Sequence, residues 1–132
     1  MIVVDASVVV TALADDGPDG DQLRERLTGE ALAAPHLLDV EVMSTFRRLA
    51  AVGQLDDRRV DLAVGDLRSL RIRRVPHGPL LTRCWQLRDS LTVYDAAYVA
   101  LAEGLRAPLL TADRKLARAS GPECEIELVS PG

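Results

Sequence analysis

Four acidic residues, Asp5, Glu41, Asp95 and Asp113, stand where a chain of alternating strands and helices would bring them to one edge of a sheet. Asp5 ends the apolar run Ile2-Val3-Val4, and Glu41 lies in the first turns of a helical stretch after Pro35. Asp95 opens another helical stretch, and Asp113 sits just beyond a strand-like run ending at Thr111. In a βαβ unit the helix N-termini share an edge with the strand C-termini, and that edge is where α/β sheets bind ligands. One helix and its returning strand separate Asp95 from Asp113, which makes them neighbours. Taken singly, each acid is explained as a helix cap or dipole partner. Meeting without a cation, the four would repel one another and be driven toward protonation, whereas hard oxygen ligands at an open edge suit Mg²⁺ or Mn²⁺. Such ions acidify bound water and stabilise charge on the attacking and leaving oxygens of a phosphodiester, so phosphate-ester hydrolysis is the chemistry implied. Ser7 and Thr111 each stand two residues from one of these acids. Their hydroxyls either hold a carboxylate, water or phosphate oxygen, or cap a helix.

No competing nucleophile system is evident. Cys84 and Cys124 lack CxxC spacing and a nearby histidine, so Cys84 reads as core and Cys124 as incidental. His36 and His77 each adjoin a proline and read as loop or cap residues, and neither a Gly-rich phosphate loop nor a GxSxG is present. Phe46 and Trp85 are expected to pack in the core, while Tyr94 and Tyr98, flanking Asp95, read either as core or as platforms for a base.

The elements that must position these groups follow from periodicity and punctuation. Strands are expected at residues 2–5, 31–34, 71–75, 108–111 and 126–129. Helices are expected at 7–14, 22–28, 37–52, 56–70, 80–88, 94–105 and 114–119, with 15–21 as a loop. Strands alternating with helices of this length give βαβ units and a parallel sheet covered on both faces.

A length of 132 residues, with 48% hydrophobic and 27% charged, is that of one globular domain, expected to span residues 1–132. No apolar run approaches the ~18 residues that cross a bilayer, and no signal-like segment opens the chain, so the expectation is a cytoplasmic protein with no membrane contact. The net charge is −4 but unevenly spread. Residues 1–46 carry two basic and nine acidic groups (−7), 47–88 ten and four (+6), and 89–132 four and seven (−3). The arginine-rich middle, with Arg47, Arg48, Arg73 and Arg74, is compatible with a polyanionic ligand or is a solvated surface.

Ile2-Val3-Val4-Asp5-Ala6-Ser7, Leu38-Asp39-Val40-Glu41-Val42, Leu91-Thr92-Val93-Tyr94-Asp95-Ala96-Ala97-Tyr98 and Leu110-Thr111-Ala112-Asp113-Arg114-Lys115-Leu116 together resemble the PIN-domain family. Within it they look like the VapC-type toxins of toxin–antitoxin pairs. The resemblance covers the whole chain in order. It implies a three-layer α/β/α fold with a central, mostly parallel five-stranded sheet, and carries over Asp5, Glu41, Asp95 and Asp113 as a catalytic, metal-binding quartet. Ser7 and Thr111 match the family's supporting polar residues. Some relatives carry a further acid after the last aspartate, where Arg114, Lys115 and Leu116 stand here. The implied function is a toxin that cuts a structured cellular RNA with one or two Mg²⁺ or Mn²⁺ ions; the charge of the 47–88 segment, not the resemblance, offers Arg47, Arg48, Arg73 and Arg74 to that RNA. The implied partner is a VapB-like antitoxin, expected to cover the acidic edge with a basic side chain; a homodimer is expected on separate grounds, because apolar helices on both sides of a sheet often leave one face to share. The alternatives are a PIN-like module that binds RNA or a partner without cutting, and an aspartate-based phosphohydrolase. The latter fits less well, because its usual phosphoryl-steadying lysine would have to be Lys115, the only lysine in the chain.

Overall fold

A computed structural model of the chain describes residues 1–129. The order is β1 (Ile2–Val4), α1 (Ala6–Ala14), α2 (Pro18–Leu27), β2 (Leu32–Pro35), α3 (Leu37–Ala51), α4 (Asp57–Ser69), β3 (Arg73–Val75), a 3-10 turn (Gly78–Leu80), α5 (Leu81–Gln86), α6 (Val93–Leu105), β4 (Leu109–Thr111), α7 (Arg114–Arg118) and β5 (Ile126–Leu128). The strands form one sheet in the order β3-β2-β1-β4-β5, and every pairing is parallel. In register, Val3 stands beside Ala33 on one side and Leu109 on the other. Val3, Val4, Ala33, Ala34, Leu109 and Leu110 are fully buried, which is why the three inner strands read as continuous apolar runs rather than alternating ones. Helices cover the sheet: α1 packs on α2, α3 and α4, while α6 packs on α5 and lies against β1, β2 and β4. No helix among the described residues is long and apolar enough to cross a membrane.

Two elements and one side chain differ from the sequence expectation. Residues 18–21 are helical rather than loop, because Pro18 at the first helical position is pre-set in φ and Asp19 and Asp21 lie where the helix dipole favours anions. Gly20, which reads as a loop signal, is instead buried against the preceding turn: a Cβ there would lie 1.9 Å from the Asp15 carbonyl oxygen. The expected helix at 80–88 is a 3-10 turn followed by the short α5, which packs inward through Leu80, Cys84 and Leu87. Trp85 falls on the adjoining face with Leu81 and is 65% exposed, with the Arg88 guanidinium 4.4 Å from its ring centre. The expectation that Trp85 packs in the core is therefore corrected. Phe46 is buried, as is Cys84.

Candidate active site

Asp5 is the most enclosed acid of the edge, 6% exposed at the end of β1. Its Oδ1 accepts hydrogen bonds from the Ser7 hydroxyl at 2.5 Å and from the Val8 N–H at 3.1 Å, which caps α1. Its Oδ2 accepts from the Thr111 hydroxyl. An ionised carboxylate offers about four lone-pair sites, so roughly one, on Oδ2, is left for another ligand. The two hydroxyls also receive hydrogen bonds: Ser7 Oγ from the Ala112 N–H and Thr111 Oγ1 from the Asp113 N–H, both at 3.0 Å. Each hydroxyl thus ties the carboxylate at the end of β1 to the backbone just past β4. Capping and holding the acid, alternatives in the sequence, coexist at Asp5. Asp113, exposed at the surface, caps α7 by accepting from the Lys115 N–H at 2.8 Å.

Asp95 is not the cap of its helix. Thr92 is the N-cap of α6, accepting from the Asp95 N–H at 3.1 Å, and Asp95 occupies the third helical position. This Thr-x-x-Asp arrangement is a capping-box signature legible in the sequence. Glu41, in the second turn of α3, accepts a hydrogen bond on Oε1 from the Tyr98 hydroxyl at 2.6 Å. Tyr98 is 1% exposed, whereas Tyr94, one turn earlier on the same stripe, is 66% exposed in the first turn of α6, where the layer ends. The tyrosine pair thus splits into one core and one surface residue. The signal for the Tyr98 contact is general: a buried tyrosine hydroxyl needs a polar partner, and Glu41 was the acid the fold brought near.

The carboxylates sense one another. Burial raises the Asp5 carboxyl above its ordinary pKa despite the bonds from Ser7, Thr111 and Val8, and the Asp95 charge adds to the rise. Burial also raises Glu41, opposed by Tyr98 and reinforced by Asp95 and Asp5. Asp95 is raised by burial and then by Asp113, against a hydrogen bond with Thr92. Asp5, Glu41 and Asp95 therefore form a mutually coupled set, to which Asp113 is joined through Asp95. As they stand, no three acidic, histidine or cysteine side chains among the described residues are close enough together to hold an ion. Like charges keep apart, and bonds to Ser7, Thr111, Tyr98 and the Lys115 N–H hold three of the four acids in place. The donor set nonetheless fits a hard divalent cation: all its atoms are carboxylate oxygens, and a cation would relieve the burial and repulsion that disfavour their charge.

The basic candidates lie elsewhere. Arg47 and Arg48 are exposed on α3, about 9–10 Å farther along the helix axis than Glu41 at 1.5 Å per residue. Exposed Arg73 opens β3, at the sheet edge opposite the acids. Arg74 stands apart from these three: its guanidinium forms a fork with Asp39, at 2.7 and 3.0 Å, and also donates to the Leu67 carbonyl. His77 accepts from the Leu37 N–H at the start of α3, a capping contact.

A family model described as the PIN domain matches residues 2–122. The chain belongs to the PIN-domain family. Ribonuclease VapC1 of Mycobacterium tuberculosis is 46% identical to it over 128 residues, 96% of each chain. Among solved structures, PAE2754 from Pyrobaculum aerophilum superposes with a TM-score of 0.71 at 25% identity, covering 95% of this PIN domain and 81% of that chain. VapBC2 from Rickettsia felis, solved bound to a DNA fragment from its promoter, shares the fold with a TM-score of 0.68 at 15% identity, covering 97% and 98%. Within the family the chain is thus related to the VapC ribonucleases.

Proposed function

We propose that this PIN domain, a single domain over residues 1–132, is a metal-dependent endoribonuclease that acts as the toxin of a VapBC-type toxin–antitoxin pair. The observation that carries the reading is the coupled set of Asp5, Glu41 and Asp95, joined by Asp113, at the C-terminal edge of the sheet in a relative of the VapC ribonucleases. Mg²⁺ or Mn²⁺ bound there would acidify a water molecule and neutralise charge gathering on the phosphodiester oxygens. The chain's own part is to hold the ligands. Asp5 is the fixed anchor, clamped by Ser7 and Thr111; Glu41 and Asp95 bring carboxylates from two helices; Asp113 approaches from the exposed side. With the cation bound, the water oxygen would bond to phosphorus as the bond to the leaving ribose oxygen breaks, the water losing one proton to solvent and the leaving oxygen taking one up.

The substrate is a loop or single-stranded part of a folded RNA, since the site needs a reachable phosphate rather than a groove to read. Exposed Arg47, Arg48 and Arg73 suit contacts with phosphates away from the cut; Arg74, held by Asp39, suits them less. The proposed partner is a VapB-like antitoxin that places an arginine or lysine among the carboxylates, because a guanidinium pairs bidentately with them. The proposed homodimer is supported by the apolar side chains left exposed on α3, α5 and α6, among them Val40, Leu81, Trp85 and Val93. A cytoplasmic setting follows from this role. The deciding experiment is RNA cleavage by purified protein with Mn²⁺, with EDTA, and with Asp5→Asn. The expected result is cutting by the wild type with Mn²⁺ only. Full cutting in EDTA or by the variant would refute the reading.

A further inference from the structure

Tyr98 joins two helices of the candidate site through one hydrogen bond. It lies on α6 three residues after Asp95, so the same helix turn that carries one acid also carries the donor to another, Glu41 of α3. A glutamate side chain is long and rotameric, and its direction at an open edge has to be set by something it touches. Among the described residues, Tyr98 is the only group hydrogen-bonded to the Glu41 carboxylate. The bond occupies Oε1 and leaves the other lone pairs of the carboxylate open. The ring is fully packed, so the hydroxyl cannot swing away with a mobile side chain.

We propose that Tyr98 is a positioning residue that fixes the Glu41 carboxylate in the orientation used for cation binding at the acidic edge. This rests on the metal-dependent reading above. Groups that orient a metal ligand in this way affect affinity about 10- to 100-fold when removed. The test is Mn²⁺ binding, followed by the EPR signal of free Mn²⁺, for wild type, Tyr98→Phe, Glu41→Gln and the double variant, with melting curves in EDTA. Tyr98→Phe keeps the packed ring but loses one hydrogen bond to a charged group, so its apo melting temperature should fall by about 5–12 °C with a cooperative transition kept, while Mn²⁺ affinity measured below that transition falls about 10-fold or more. In the Glu41→Gln background the same change should alter affinity less than about two-fold, because Tyr98 acts only through Glu41. Should Tyr98→Phe fail to fold, Tyr98→Met serves instead: it fills the buried space with a flexible apolar side chain, lacks the hydroxyl and leaves Glu41 intact, and affinity should fall by a similar factor. Equal affinity in wild type and the folded Tyr98→Phe or Tyr98→Met variant, or an undiminished effect in the Glu41→Gln background, overturns the inference alone. No Mn²⁺ binding by wild type overturns the metal reading and the inference together.

Discussion

Thr111→Val removes one hydroxyl at nearly constant volume from a fully buried position, and with it two hydrogen bonds. The first is the donation to Asp5 Oδ2, a bond to a charged group worth about 1.5–3 kcal/mol; the second, from the Asp113 N–H, is a neutral one worth about 0.5–1.5 kcal/mol. Together they predict a loss of about 2–4.5 kcal/mol at neutral pH, equivalent to a fall of roughly 6–18 °C in melting temperature for a chain of this size. The sign of its pH dependence is also determined. The charged bond exists only while Asp5 is ionised, and burial raises the pKa of that carboxyl above its ordinary value. The gap between wild type and variant should therefore widen as pH rises through that raised pKa and shrink at acid pH, where Asp5 is neutral in both. Urea denaturation of metal-free protein across this range measures it. Thr111→Ser, which keeps the hydroxyl, should lose only about 1 kcal/mol for the missing methyl. A Thr111→Val effect below about 0.5 kcal/mol, or one that does not change with pH, would refute the clamp.

Asp5→Asn, Glu41→Gln and Asp95→Asn should each lower RNA cleavage at least about 100-fold while leaving the fold intact, as read by gel assay and circular dichroism. All three acids have raised folded pKa values, so ionisation costs the metal-free protein stability that falls away as pH climbs from the ordinary carboxylate range through the raised values. At neutral pH, neutralising Asp95, which has few hydrogen bonds to lose, should raise the apo melting temperature; a fall would contradict the repulsion argument. Reversing Arg47 and Arg48 to glutamate should weaken RNA binding and flatten its salt dependence by roughly 1.4 in the log–log slope, a value checked by filter binding between 50 and 200 mM salt. Arg74→Glu breaks the fork with Asp39 and should instead cost about 1–2 kcal/mol of stability in denaturant melts, so it reports on the fold. An antitoxin copurified with the chain should lose inhibition about 10-fold or more when its basic residue at the acidic edge becomes alanine; unchanged inhibition would disprove charge pairing as its mechanism.

Much of this was legible in one dimension because periodicity and punctuation are local. Continuous apolar runs at β1, β2 and β4 announce strands buried on both faces, and the alternation of strands with helices places Asp5, Glu41, Asp95 and Asp113 at one edge from element order alone. Capping chemistry is equally local, as at Thr92, Asp56 and Asp5. Helical spacing also relates Trp85 to Cys84 and Tyr94 to Tyr98, but it cannot say which stripe meets a neighbour or where along a helix the covering layer stops. Trp85 and Tyr94 are therefore exposed while Cys84 and Tyr98 are buried. The same limit applies to charge. Arg73 and Arg74 are adjacent letters, yet strand alternation turns one to solvent and leaves the other within reach of Asp39, 35 residues away. Only the tertiary structure decided that Ser7 and Thr111, 104 positions apart in the chain, would share Asp5, and that Tyr98 would reach Glu41 across 57 residues. Those contacts depend on how two strands and two helices pack side by side, and no short-range pattern encodes that distance.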